Sequence, residues 1–391
     1  MQMRTVIIIL CSLLIRSAFS QTDSTKYLRD ILTLKGYIKD MQISSFGNDL
    51  SYIINDNLIH NRLNFRIYPF KNTQAALEIR NRIFTGESVN LNPMYGEQMD
   101  VDNGVADMSW LLINEPSLVL LSQVDRAWLN WHNDKWEITA GRQRINWGTN
   151  LFWNCNDLFN AYSLVDFDYE ELPGADALRI QRYFKNNGGM DLAVKASPDS
   201  NEWVGAIKWN FNKWQYDFQL LGGWWYEDVA LGAGWAGNMG NAGLKGEATW
   251  FQPRTNWKDT TGTLSASISS DYVFSNQMFL TVGCLYNSNG LDKDSLQNGQ
   301  NLLLRPLTAK NLMPTKFSSI VNITCPVTPL LNASMMALYS PGVNVVFVMP
   351  SVGYSLSDNW ELSIFGQSFW MEADNFKNVN NGAFIRIKGS F

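Results

Sequence analysis

Residues Asp56–Phe84 read DNLIHNRLNFRIY, then PFKN, then TQAALEIRNRIF: two alternating runs around a short polar turn. In the first run Ile59, Leu63, Phe65 and Ile67 share one face, and His60, Arg62, Asn64 and Arg66 share the other. In the second, Ala75, Leu77, Ile79 and Ile83 oppose Gln74, Glu78, Arg80 and Arg82. A period of two with one apolar face is the signature of a half-buried strand. A soluble sandwich shows the same alternation, with its polar face in bulk water. Here nine of the fifteen Arg fall within residues 62–182, mostly in mid-strand. That placement points to an enclosed polar face.

Working outward, the same rhythm gives eighteen segments between residues 32 and 391, with sixteen as the alternative count. The connections sort by parity. Every second one is short: Pro69–Asn72, His132–Lys135, Asn186–Gly188, Asn212–Lys213, Gly237–Gly240, Ser275–Asn276, Pro326–Pro329 and Ser355–Asp358. The intervening ones include all the long loops: 85–117, 147–175, 253–261, 288–315 and 372–381. Sandwiches have no reason to sort loops this way, whereas transmembrane barrels join strands by short periplasmic turns and longer extracellular loops. The predicted fold is therefore all-β: an antiparallel up-and-down transmembrane barrel with both termini on the short-turn side.

Composition agrees. The chain has 391 residues, 16 of them Trp, and only 17% are charged, against about 25% in ordinary soluble domains. Mean hydropathy is −0.17 despite 46% hydrophobic residues, as expected when apolar and polar positions alternate. Beyond the first 20 residues no apolar run is long enough for a membrane helix. The net charge of −5 gives no support to nucleic-acid binding. Ten Trp, among them Trp131, Trp136, Trp203, Trp224 and Trp360, lie near predicted strand ends, where an amphipathic indole suits a membrane interface. Met1–Ser20 combines Arg4, an apolar run and Ala18-Phe19-Ser20, which predicts a signal peptide cleaved after Ser20. Residues 21–31 follow as a short periplasmic segment, and 32–391 as one barrel domain.

The inward faces predict a polar pore wall of Arg62, Arg66, Glu78, Arg80, Arg82, Arg126, Arg142, Arg144 and Arg179. These groups either select solutes or brace neighbouring strands. Acidic Asp157, Asp166, Asp168, Glu170, Glu171 and Asp176 would neutralise that wall if loop 147–175 folds inward. Arg142 and Arg144 share a parity with the outward-facing Ile138 and Ala140, so a bulge at Gly141 is expected to turn them inward. Asn154 and Asp157 suit a loop clip.

The stretch Gly141-Arg142-Gln143-Arg144-Ile145-Asn146-Trp147-Gly148, followed by Asn154, Asp157 and Pro173-Gly174, resembles the GRQxxxWG…NxxD…PG segment of a porin-like family of outer-membrane barrels that includes relatives of alginate-export channels. The match covers roughly residues 139–183, and Cys155 stands where that family has Pro. The resemblance implies that Arg142, Trp147, Asn154 and Asp157 shape a loop entering the pore. The terminal alternating strand ending on Phe391 resembles the sorting signal read by the barrel-assembly machinery.

Together these readings imply a channel for passive diffusion of small hydrophilic solutes, anionic or saccharide. Outer-membrane lipid and lipopolysaccharide would surround it; no cofactor and no metal are expected, and association into oligomers stays open. His60 and His132 show no triad spacing, so no enzymatic role is predicted. Loop aromatics Tyr95, Trp110, Trp153, Tyr162 and Tyr169 offer the alternative of a plugged barrel that binds saccharides at the surface or serves an outer-membrane assembly. Cys155, Cys284 and Cys325 have no framework spacing, and one disulfide remains open.

Overall fold

The computed structural model describes residues 31–391 except 103, 161–173, 186, 256, 294–306 and 373–374. The predicted signal peptide, most of the segment after it, Pro173 and the acids at 166, 168, 170 and 171 lie outside the described residues. The strands are β1 (Leu32–Phe46), β2 (Ile53–Phe70), β3 (Thr73–Gly86), β4 (Ser109–Glu115), β5 (Leu118–His132), β6 (Trp136–Gln143), β7 (Ala175–Tyr183), β8 (Gly189–Lys195), β9 (Val204–Lys213) and β10 (Tyr216–Trp225). They continue as β11 (Asp228–Met239), β12 (Ala242–Pro253), β13 (Thr263–Val273), β14 (Phe279–Asn287), β15 (Phe317–Pro326), β16 (Leu331–Ser340), β17 (Val345–Ser357), β18 (Trp360–Glu372) and β19 (Phe376–Ser390).

Apart from β4, each strand pairs antiparallel with the next one around the ring, and β19 pairs back onto β1, from Tyr37 opposite Ser390 to Phe46 opposite Asn381. Gly36 and Phe391 extend that seam with two reciprocal 2.9 Å backbone hydrogen bonds. That seam closes the ring, so the first and last strands leave no open edge to aggregate. Strand β4 is the one that does not belong to the ring. Strand β3 pairs with β5 along its whole length, and β4 pairs with the other edge of β5 above the end of β6. Setting it aside leaves eighteen wall strands, each matching a predicted segment.

Two departures have physical reasons. β4 lies inside the predicted loop 85–117, because Trp110, Leu111, Leu112 and Ile113 are apolar on both faces and give no alternation. Strand β19 starts at Phe376, inside the predicted loop 372–381, because its first turn is held by amide groups rather than an apolar face. There Asn378 Nδ2 donates to Ser368 Oγ (2.9 Å) and to Asn381 Oδ1 (3.0 Å).

The outward face carries exposed Leu178, Leu192, Leu220, Leu231, Ile268, Val321, Ile364 and Ile385. So continuous an apolar skin is far beyond what soluble surfaces carry. Trp131, Trp136, Trp214 and Trp360 rim it at the short-turn end, and Trp203, Trp224 and Trp250 at the other, all exposed outward. Two short helices, α1 (Glu87–Leu91) and α2 (Tyr95–Met99), follow β3 and fold over the inner wall. Val89, Tyr95 and Met99 join Met41, Leu58, Phe84 and Phe384 in an apolar cluster there.

Candidate functional site: the lumen and its pore loop

The chain leaves the wall after β6, and residues 144–160 run down the lumen against the strands from β8 to β13. A single carboxylate does most of the tethering. Glu247, buried on β12, accepts from the backbone amides of Thr149, Asn150 (2.8 Å) and Asn156 (3.0 Å) and from Thr149 Oγ1 (2.9 Å). Hydroxyls of neighbouring strands add to it. Ser267 Oγ donates to the Trp153 carbonyl (2.7 Å), Asn150 Nδ2 donates to Ser267 Oγ (2.7 Å), and Thr249 Oγ1 donates to the Cys155 carbonyl (2.8 Å). Backbone polar groups buried away from water must find such partners, which explains why β12 and β13 carry Glu, Thr and Ser on their inward face. Cys155 is buried among them. Burial and the Glu247 carboxylate push its thiol up to about 12, and all three thiols, Cys155, Cys284 and Cys325, are free.

The residues of the sequence motif secure this loop at its entry. Trp147 is buried, donates from Nε1 to Asp191 (2.8 Å) and meets Phe159 edge-on at 5.0 Å. Arg179 grips the same Asp191 with Nε (3.0 Å) and Nη2 (2.5 Å). Asn154 crosses Gly148 so closely that a Cβ at Gly148 would lie 2.2 Å from the amide carbon. Gln143 Nε2 donates to the carbonyls of Thr139 and Ala177, both at 3.0 Å.

Arg142 differs from the expectation. The ladders of β6 with β5 and β7 run without a register shift through Gly141, so there is no bulge. Gly141 takes φ 112° instead, where a Cβ would collide with the Ala127 carbonyl at 2.3 Å. Arg142 keeps the outward parity of Ala140 and lies in the wall itself, where β6 ends and β4 takes over the edge of β5. Its guanidinium bonds Asp102 (2.6 Å), Asp176 (2.7 Å), the Ala106 carbonyl (2.7 Å) and the Val124 carbonyl (3.2 Å). Gly104 and Gly174 flank its side chain; Cβ atoms there would lie 1.7 and 2.8 Å from Arg142 atoms. Arg142 is thus a rivet between the 100–108 segment and the wall, not a pore-lining group. Replacing Gly174 by Val should destabilise the barrel by about 1–3 kcal/mol through overpacking, read as a lower temperature for loss of the compact form in detergent.

Half a turn around the ring, the strands from β18 through β5 carry the charges. On inward positions stand the cations Lys35, Lys39, Arg62, Arg66, Arg80, Arg82, Arg126, Arg386 and Lys388 and the carboxylates Asp56, Glu78, Asp125 and Glu361. Glu78 takes Arg62 (2.6 Å), Arg66 (2.5 Å) and Arg126 (3.2 Å). Asp125 takes Arg62 and, at 3.0 Å, Arg80. Bracing and a surplus of cations over carboxylates among the described residues therefore coexist. Arg82 lies over the Phe84 ring at 5.4 Å, and Lys39 and Lys388 face each other across the seam beside the Tyr37 ring, at 5.9 and 4.6 Å.

Of the acids expected to neutralise this wall, the two that are described do otherwise. Asp176 holds Arg142, and Asp157 is buried in the pore loop, where its charged neighbour is Arg144 of the same loop. Burial raises the Asp157 carboxyl to about 7; Arg144 opposes the shift and Glu247 adds to it. Asp125, Glu247, Asp191 and Asp102 were not singled out from the sequence. The one legible sign of Asp125, Asp191 and Glu247 is a lone carboxylate inside a strand, and Asp102 in the segment before β4 carries none. His60 is buried against Tyr37 (ring centroids 5.3 Å), and His132 Nδ1 lies 3.3 Å from Asn130 Oδ1. Tyr95 and Trp153 pack in apolar clusters, so their faces are not offered to sugars, whereas Trp110 is exposed.

The geometry is that of an outer-membrane porin fold, and solved structures agree. OccAB4 of Acinetobacter baumannii superposes with a TM-score of 0.57 at 9% identity, covering 92% of this chain and 98% of the other. OccK3 (OpdO) of Pseudomonas aeruginosa gives 0.57 at 8%, covering 93% and 97%. The outer membrane protein OprD of the same organism gives 0.56 at 8%, covering 92% and 93%. At these identities the likeness concerns the fold. No protein-family model and no curated relative matches the chain.

Proposed function

We propose that the protein is an outer-membrane channel for passive diffusion of small hydrophilic solutes, with a preference for anions. The observation that carries this reading is the two-sided lumen. A tethered loop narrows the bore from one side, and on the opposite arc cations outnumber carboxylates among the described residues. Fixed charge along a narrow bore sets ion preference and draws in solutes of the other sign. The apolar skin and its Trp rims fit contact with outer-membrane lipid and lipopolysaccharide, and Phe391 at the seam fits recognition by the barrel-assembly machinery. The stretch 139–183, with its resemblance to a porin-like family, would then mark the clip that holds the pore loop.

The test is single-channel recording in planar bilayers under a salt gradient. Replacing Arg66, Arg82 and Lys388 together by Gln should move the reversal potential toward cation preference. An unmoved potential would reject the wall as the selecting element, and absence of discrete open steps in the unaltered protein would reject the channel.

A further inference from the structure

Beneath the pore loop, on the side away from the cationic arc, lies a cavity of 310 Å³ between Trp147-Gly148-Thr149 and the inward faces of β9 and β10. Lys208, Asn210, Asp217 and Gln219 line it from the wall, and Asn187 from the turn between β7 and β8. Lys208 is more than nine-tenths buried. Its ammonium lies over the Trp147 ring at 5.3 Å, and among the described residues no carboxylate comes within ion-pair distance. Asp191 stands opposite Lys208 in the ladder of β8 with β9 without a direct bond, so the ammonium keeps its donors for a group in the cavity.

The groups around it are similarly open. Gln219 spends Nε2 on the Trp147 carbonyl (2.9 Å) and keeps Oε1 as an acceptor. Asp217 accepts from Asn212 at one oxygen (2.8 Å) and keeps the other. The side-chain amides of Asn210 and Asn187 each supply a donor and an acceptor. One ammonium and one carboxylate make the cavity neutral overall, so it favours neither an anion nor a cation. What it matches is a ring of hydroxyls, each able to accept and to donate.

We propose that this cavity is a binding subsite for a neutral, hexose-sized sugar, reached from the lumen below the pore loop. The proposal rests on the channel reading and gives it a solute class distinct from the one the cationic arc attracts. One side of the lumen sets the ion preference, while the other holds a polyol by hydrogen bonds.

The test adds D-glucose to single channels of the full chain, on the side of the short turns, with D-glucuronate and D-glucosamine as charged comparators. Glucose should produce brief, concentration-dependent interruptions of the open current. Asp217→Asn and Asn210→Ala should each raise the half-blocking concentration about tenfold, the loss expected when a hydrogen bond to the ligand is removed. Channels that open normally in salt but ignore glucose would overturn the subsite and leave the channel reading intact. Interruption by glucuronate or glucosamine at lower concentration than glucose would overturn the neutral-sugar assignment. If no open steps occur, the channel reading fails, and titration calorimetry of glucose into detergent-solubilised protein still decides the cavity. A variant that does not fold is recognised by loss of the compact form in unheated gels, and the other variant then carries the comparison.

Discussion

Replacing Glu247 by Ala should free the pore loop and give larger, noisier open-channel currents. The carboxylate is the acceptor for three backbone amides and one hydroxyl of that loop. Removing it strands buried donors, at about 1–3 kcal/mol for each group left without a partner. The loop's other polar anchors, Asp191 through Trp147 and the neutral groups of Gln219, Thr249 and Ser267, each take fewer of its groups than Glu247 does. Glu247→Gln keeps one acceptor oxygen and should fall between. Bilayer recordings of the three proteins test the ranking, and equal step sizes with equal noise would show that the loop is held by its apolar contacts instead.

Raising the pH from 5 to 8 should loosen the same loop through Asp157. Its carboxyl is 2% exposed, the amides of Phe159 and Asn160 point toward it without forming well-shaped hydrogen bonds, and burial sets it at about 7 against an ordinary 3.8. A raised acid favours the docked loop while protonated. The docked state is therefore at full strength below about pH 4, weakens as pH climbs, and levels off above about pH 7. The difference amounts to about 4 kcal/mol across that window. Arg144 on the loop, Lys208 on β9 and Glu247 on β12 are the charged groups that face it. Open-channel noise should rise with pH in the native protein and stay low and flat in Asp157→Asn. Identical pH profiles in the two would exclude Asp157 as the titrating group.

How far the sequence could be read depended on which physical signal each residue carries. The wall strands were legible because alternation between an apolar skin and a polar lumen is imposed at every second position over ten residues at a time. Strand β4 was not, since Trp110 to Ile113 carry no alternation, and neither was the start of β19, where Asn378 and Asn381 replace apolar contacts by amide bonds. Parity alone assigns the cations of β2 and β3 to one face of the ladder, the face that carries Glu78 and Asp125. Arg142 was not, because parity says which side of the ladder a residue occupies but not that the neighbouring strand has ended there. Glu247, Asp191 and Asp125 are single acids in strands, and only the folded ring reveals that they face a loop or an arginine more than forty residues away. The spacing from Trp147 through Asn154 to Asp157 was noticed for its rarity. Its meaning, a crossing over Gly148 and an unsatisfied carboxyl, is a matter of distances.

The seam between the first and last strands has a further implication. Lys39 and Lys388 meet there, with the Tyr37 ring beside both ammonium groups. Zipping the ring shut therefore forces like charges together at the very place where solutes would be attracted. Any lineage that made this bore more attractive to anions by adding cations at the seam would also make its own barrel harder to close, so the strength of the attraction is capped by the chain's ability to assemble.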